Sequence, residues 1–322
     1  MPLVKSNYDC VKFLRNGHIQ TILPFLFRIP PEKHHGEKIH VATPDGEELS
    51  SLNYKTDKSK KLIIITHGLE GNGEDTYILH MAKNFHQEGY NVVTWTMRTC
   101  DENLIHRNKF YNGADFSDLE VIIDYYKEDM EEIYLVGISL GGSITCNYLG
   151  RLGHDIEKKV SGAFVISTPL DLDSSSRALS SRVSKLLYQG IFVRSMKKKV
   201  LKKAKNLKFQ IDLKAIKKAR LVSDFDEHVV GPMYGYESGK DYRVKGSALP
   251  YLKDITVPLY ILNALDDPFL GEECYPFEFA ENSELVFLET PKVGGHVGFI
   301  RRSHEELYWY ESRILQFVSG SI

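Results

Sequence analysis

The feature that most constrains this chain is an alternation of short apolar runs with amphipathic stretches. The runs at residues 62–66, 91–97, 133–136, 160–167, 258–264 and 284–289 are too short for ordinary helices and are mostly apolar, the pattern of strands buried on both faces. Between the first two, Tyr77, Ile78, Met81, Ala82 and Phe85 recur at helical spacing up to a stop at Gly89. Phe116, Leu119, Ile122, Ile123 and Tyr126 mark a second helix before the run at 133. Each crossover between parallel strands must return over a face of the sheet, so this order predicts a mostly parallel central sheet with helices on both faces. Ahead of it, residues 38–43 and 49–54 flank Pro44-Asp45-Gly46 and predict an antiparallel hairpin.

The alternation stops between about residues 170 and 250. Met196, Val200, Ala204 and Leu207 recur at three- to four-residue intervals among Lys197, Lys198, Lys199, Lys202, Lys203, Lys205 and Lys208. This predicts an amphipathic helix with its lysines on the wet side. The segment reads as a helical cap inserted into the core, which gives a first part of the core with an amino-terminal arm at 1–169, a cap at 170–250 and a second part of the core at 251–322. Its lysine-rich surface is either a solvated face or a place of weak contact with anionic lipid or an acyl carrier.

Composition removes several classes of function. With 322 residues, 42% hydrophobic and 26% charged, the chain can bury a large core. The formal net charge of −2 supplies no global field toward nucleic acid. The start, MPLVKSNYDC, has no apolar leader, and no run approaches the roughly 20 apolar residues of a membrane span. A cytoplasmic protein without an integral membrane segment is expected. Cys10, Cys100, Cys146 and Cys274 are scattered and read as free thiols. The histidines show no metal-ligand spacing, and His34-His35 falls in an expected loop beside Pro30-Pro31 and Gly36. No metal or cofactor is expected.

Gly137-Ile138-Ser139-Leu140-Gly141 is a G-x-S-x-G pentapeptide. Chance alone would supply such a pattern in roughly one chain in ten of this length, so its context must carry the argument. That context is the run 133–136 directly before it and an expected helix over 143–149 directly after it. Strand, sharp turn and helix are what a nucleophile elbow requires, with Gly137, Gly141 and Gly142 leaving room for the turn.

A serine hydroxyl is a poor nucleophile until a base takes its proton. His296, in the loop Lys292-Val293-Gly294-Gly295-His296-Val297-Gly298 after the last apolar run, is the candidate base. Ser303 and Glu306 form a capping-box pattern for a helix following that loop. The orienting acid should leave the run at 258–264, where Asp266 and Asp267 stand side by side. Position relative to the strand end favours Asp267, with Asp266 bracing the turn. Backbone amides of Leu140 and of Leu69, the latter in His67-Gly68-Leu69-Glu70-Gly71, are the candidate oxyanion donors. His67 itself is expected to hold its loop.

Together these residues resemble the α/β-hydrolase superfamily, and within it the YheT-like hydrolases. The resemblance covers most of the chain. It includes Gly17-His18-Ile19-Gln20-Thr21, the His67 to Gly71 loop, the elbow, the stretch Asp226 to Pro250 that ends in Ser247-Ala248-Leu249-Pro250, Asp266-Asp267-Pro268-Phe269 and Gly295-His296-Val297-Gly298-Phe299. The pattern departs at Arg98-Thr99-Cys100-Asp101-Glu102, where this group usually has Arg followed by glycines. For His18 and Gln20 two roles stay open, pinning the amino-terminal arm or lining the pocket.

The resemblance implies carboxylesterase or lipase-like hydrolysis of small acyl esters by a Ser-His-Asp triad of Ser139, His296 and Asp267. An acyltransferase that uses an alcohol in place of water is the alternative within enzymes. A non-catalytic binding protein on the same fold is the alternative outside them.

Overall fold

A computed structural model describes residues 3–31, 36–300 and 307–322. One nine-stranded sheet runs through them, formed by β1 (Leu3–Val4), β2 (Glu37–Ala42), β3 (Glu48–Tyr54), β4 (Lys61–Thr66), β5 (Asn91–Trp95), β6 (Glu132–Ile138), β7 (Val160–Ile166), β8 (Leu259–Leu262) and β9 (Val286–Glu289). The spatial order is β1-β9-β8-β7-β6-β4-β5-β3-β2. From β1 to β5 all neighbours are parallel, while β3 pairs antiparallel with β5 and with β2. The predicted hairpin is therefore the antiparallel edge of an otherwise parallel sheet. Every residue of β5 and β8 is buried, which is why these strands read as unbroken apolar runs.

Two apolar cores lie on the two faces of this sheet. One gathers Leu119, Ile122 and Ile123 of the helix Ser117–Tyr126 with Ile144 and Leu149 of the helix Leu140–Leu152. The other gathers Ile78, Met81, Ala82 and Phe85 of the helix Thr76–Gln87 with Trp309, Tyr310 and Ile314 of the helix Trp309–Val318. The apolar spacings read from the sequence are the faces that these helices bury.

Between β7 and β8 the described chain is helical, including Leu172–Leu179, Arg182–Ser184, a π-helical turn Lys185–Gln189 and Gly190–Lys203. Val193, Val200, Ile216 and Phe225 pack there with Phe110 in a core of their own. The wet-side assignment fails for two lysines. Lys203 is buried and donates to the carbonyls of Asp101 (2.5 Å) and Leu104 (3.2 Å), and Lys199 also turns inward. They are four residues apart, on the stripe that holds Val200, and their acceptors come from remote loops.

Arg98 explains the loop that follows β5. Its buried guanidinium donates to both carboxylate oxygens of Asp118 (3.0 and 2.9 Å), to Asp45 (2.8 Å) and to Glu47 (2.6 Å). It thereby fastens the hairpin turn to the helix Ser117–Tyr126. The next residue, Thr99, has φ 67°, a conformation that glycine adopts without strain and a β-branched residue rarely adopts. The departure from the expected glycines thus leaves the backbone shape of that position in place.

The amino-terminal arm holds two elements that no periodicity announced. β1 pairs parallel with β9, and the helix Gly17–Phe27 starts at Asn16, whose side chain accepts from the amides of His18 and Ile19. His34-His35 and the Ser303 and Glu306 pattern lie outside the described residues. The described carboxy-terminal helix opens after Tyr308, whose amide donates to Glu311 at 3.0 Å. Among the described residues no helix is long and apolar enough to cross a membrane.

Candidate active site

Ser139 stands between β6 and the helix Leu140–Leu152 with φ 53° and ψ −119°. Such a backbone costs on the order of 1–3 kcal/mol in a non-glycine residue and persists only where its surroundings enforce it. Here its amide donates to the carbonyl of Ile166 at 2.9 Å, and the helix packs hard against neighbouring strands. A Cβ added to Gly141 would stand 2.3 Å from the carbonyl oxygen of Thr66. One added to Gly137 would stand 2.6 Å from Cα of Gly142. The glycines are required by close approach, as the elbow geometry demands.

The hydroxyl of Ser139 is 2.9 Å from Nε2 of His296, and Nδ1 of His296 is 2.9 and 3.1 Å from the two carboxylate oxygens of Asp267. Asp267 is buried, and its Oδ1 also accepts the amide of Phe269 at 2.9 Å. The Phe269 ring covers the imidazole with centroids 4.2 Å apart. Ser139, Asp267 and His296 come together because they follow β6, β8 and β9, whose carboxyl ends share one edge of a parallel sheet.

The loop around His296 is held from outside itself. Gly295, Val297 and Phe299 all have positive φ, at 57°, 57° and 45°. Four of its amides are taken by side chains of distant segments. The amide of Gly295 donates to Oδ1 of Asp266 (2.9 Å), that of His296 to the Thr21 hydroxyl (2.9 Å), that of Val297 to the Ser167 hydroxyl (2.9 Å) and that of Ile300 to Oε1 of Gln20 (2.7 Å).

This gives the Gly17 to Thr21 signature a physical role. Gln20 is fully buried and also donates to Sγ of Cys10 and the carbonyl of Leu14, so it joins the arm to the histidine loop. A Cβ on Gly17 would collide with the carbonyl oxygen of Asp266 at 1.9 Å. His18 instead reaches the helical segment above, with Nδ1 2.9 Å from the Tyr188 hydroxyl. The side chain of Asp266 reaches the histidine loop through the amide of Gly295. Burial pushes its carboxyl above the usual range, opposed by the amide hydrogen bond from Gly295.

The loop after β4 carries the candidate oxyanion amides. Neither the amide of Leu69 nor that of Leu140 has an acceptor among the described residues, and both residues line the same cavity as Ser139. His67 is fully buried, with Nδ1 2.7 Å from the carbonyl of Gly68 and Nε2 accepting the amide of Met97 at 3.0 Å. Burial lowers its pKa to about 4, so the ring is neutral and shapes the loop. Glu70, which follows Leu69 and has φ 60°, is 2.6 Å from Nζ of Lys199 and accepts the Tyr111 hydroxyl at 2.6 Å. Lys199 also donates to Sγ of Cys100 at 3.2 Å. The inward-turned lysine thus ties the helix Gly190–Lys203 to the loop beside Ser139, a connection hidden in the sequence by its place in a lysine run.

Ser139 and His296 open onto a cavity of about 700 Å³. Its walls are mostly apolar, with Ile22, Phe25, Leu179, Ile191, Phe192 and Phe269, and they also carry charged groups such as Arg28, Glu70, Lys199 and Arg243. Among the described residues no group of three or more His, Cys, Asp or Glu side chains could hold a metal ion.

A parallel sheet with an antiparallel edge, and a strained serine on the turn from strand to helix, define the α/β-hydrolase class. A family model described as alpha/beta hydrolase fold matches residues 61–302, and the chain belongs to that family. Its relatives include YheT of Escherichia coli, 27% identical over 93% of this chain and 89% of that one. The human phospholipase ABHD3 is 28% identical over 100% of this chain and 80% of its own length. A monoacylglycerol lipase of Saccharomyces cerevisiae is 28% identical over 86% of this chain and 62% of its own. An esterase of Pyrococcus furiosus shares the fold with a TM-score of 0.59 at 19% identity, covering 91% of this chain and 95% of that one.

Proposed function

We propose that this protein is a serine hydrolase that cleaves carboxylic esters with an apolar acyl group. The observation that carries the reading is the hydrogen-bonded chain from Ser139 through His296 to Asp267, opening onto a large and mostly apolar cavity. Relatives named as a phospholipase and a monoacylglycerol lipase support it.

In the first half of the reaction Nε2 of His296 takes the Ser139 proton as Oγ bonds to the ester carbonyl carbon. Asp267, bonded to Nδ1, stabilises the imidazolium. The amides of Leu69 and Leu140 hold the oxyanion, each worth about 2.7–4 kcal/mol in a comparable site. Breaking the carbon–oxygen bond to the leaving alcohol uses the same proton, returned by His296. Water then repeats the sequence, releasing the acid and free Ser139. In this reading residues 170–250 are a cap that supplies much of the apolar wall.

The test is a fluorophosphonate label read by intact mass, with turnover on p-nitrophenyl esters of increasing acyl length. Wild type should take one label and hydrolyse the esters, and Ser139→Ala should do neither. Stoichiometric labelling of the variant at another serine would overturn the assignment.

A further inference from the structure

Two chain segments that line the cavity, around residues 21–28 and 187–196, carry apolar side chains in the open, on them and next to them in the chain. On one side, Phe25, Phe27 and Ile29, at and beyond the end of the helix Gly17–Phe27, are 76%, 71% and 78% exposed. On the other, Leu186 is 84% exposed and Ile191 is 58% exposed, with Val183 also exposed one turn earlier in the helical run. The two sides belong to one surface. His18 and Tyr188 join them by a 2.9 Å hydrogen bond and a ring stack, and Phe25 and Ile191 line the cavity itself. Singly exposed apolar residues are ordinary, whereas a cluster around a cavity entrance marks a contact surface.

Charge indicates what covers it. The sequence has no acidic residue between Asp9 and Glu32, and none between Asp173 and Asp212. Arg182, Lys185 and Arg194 are exposed on the second of these segments, and no described carboxylate pairs with them. A chain with net charge −2 therefore carries uncompensated positive charge on a rim that also exposes Phe, Leu and Ile. Basic residues flanking a protruding apolar row match an interface with anionic headgroups outside and acyl chains beneath. An acidic protein would use the basic groups but would leave Phe27, Ile29 and Leu186 without a matching apolar phase.

We propose that this face docks on an anionic lipid surface, with Phe25, Phe27, Ile29, Leu186 and Ile191 entering the acyl boundary around the cavity mouth. Docking itself is independent of catalysis; direct passage of an acyl substrate from lipid into the cavity rests on the ester-hydrolase reading above.

The experiment uses the full chain and sedimentation with vesicles of phosphatidylcholine, with and without phosphatidylglycerol. Ser139→Ala is included so that failure of catalysis and failure of docking are separate results. Wild type and Ser139→Ala should bind the anionic vesicles alike, more weakly at high salt and on phosphatidylcholine alone. Phe27→Asp/Leu186→Asp and Arg182→Glu/Lys185→Glu should each lower the partition on the order of tenfold or more. Both should keep the wild-type melting temperature and turnover on a soluble short-chain p-nitrophenyl ester, and both should lose turnover on an ester carried in the vesicles. Equal binding to neutral and anionic vesicles, or unchanged binding by the Phe27/Leu186 variant, would overturn the proposal. So would a concentration-dependent dimer that Leu186→Asp dissolves, which assigns the face to a second copy. Capture of an acidic acyl carrier protein without vesicle binding would overturn it too.

Discussion

The hydroxyl of Thr21 accepts the backbone amide of His296 at 2.9 Å while donating to the carbonyl of Gly17 at 2.6 Å. A residue of the amino-terminal helix therefore sets the height of an imidazole that lies 275 positions later in the chain. Thr21→Val keeps the shape but leaves that amide without its acceptor, a loss of about 1–3 kcal/mol for a buried group. Turnover on a p-nitrophenyl ester should fall roughly tenfold, because small displacements of reacting groups are costly. Thr21→Ser should restore it. Equal activity in Thr21→Val and wild type would show that the other three amide contacts hold the loop alone.

The adjacent carboxylates divide their work. Asp267 bonds the imidazole, whereas Asp266 bonds the amide of Gly295. Asp267→Asn keeps the shape but favours the wrong imidazole tautomer, a change that costs about 10⁴ in a well-studied protease. The variant should lose at least roughly 10²-fold in turnover while folding normally. Asp266→Asn retains an oxygen for Gly295 and should lose less than about tenfold, with a lower melting temperature. Turnover and melting of both, measured side by side, decide the matter. An inactive Asp266→Asn beside a wild-type-like Asp267→Asn would exchange the roles.

Much of this arrangement is legible in the chain, for identifiable reasons. Strands buried on both faces must be apolar throughout, so β4 to β9 show as runs, and the order Ser139, Asp267, His296 locates those residues at strand ends. What is not legible depends on partners far away in sequence. β1 is two residues long, too short for any period, and exists only because β9 is beside it. Lys199 and Lys203 look like their neighbours, since their acceptors lie in loops near residues 70 and 100. Thr21 and Ser167 carry hydroxyls that any surface could hold, and only the fold brings them to the amides of His296 and Val297.

The ion pair of Glu70 with Lys199 is a second coupled device. Both side chains are largely buried, so removing one partner strands the other, at about 3–5 kcal/mol for a buried pair. Lys199→Met should lower the melting temperature and the turnover number together, because Glu70 adjoins the loop of Leu69. Adding Glu70→Gln should recover part of both losses. A double variant that shows the sum of the single effects would mean the two residues act independently.

His67 gives the protein an acid-sensitive point separate from the imidazole of His296. Its pKa is lowered by burial to about 4, against about 6.5 in an unfolded chain. Above pH 6.5 both states are neutral at this residue and its contribution to stability is complete. As pH falls from 6.5 to 4 the unfolded chain takes a proton that the native ring refuses, because Nε2 is occupied by the amide of Met97. Stability is therefore lost across that window, up to about 3 kcal/mol. Glu311 acts in the opposite sense. Burial raises its pKa to about 7, so the native state binds its proton more tightly and gains stability as pH falls from 7 toward the ordinary glutamate range. Wild type alone can thus appear flat, and the informative quantity is its difference from His67→Gln. That variant should be less stable at pH 8 yet show an acid slope smaller by about one proton between pH 6.5 and 4 in denaturant unfolding. Parallel pH profiles for the two proteins would mean that His67 is protonated alike in the folded and unfolded chain.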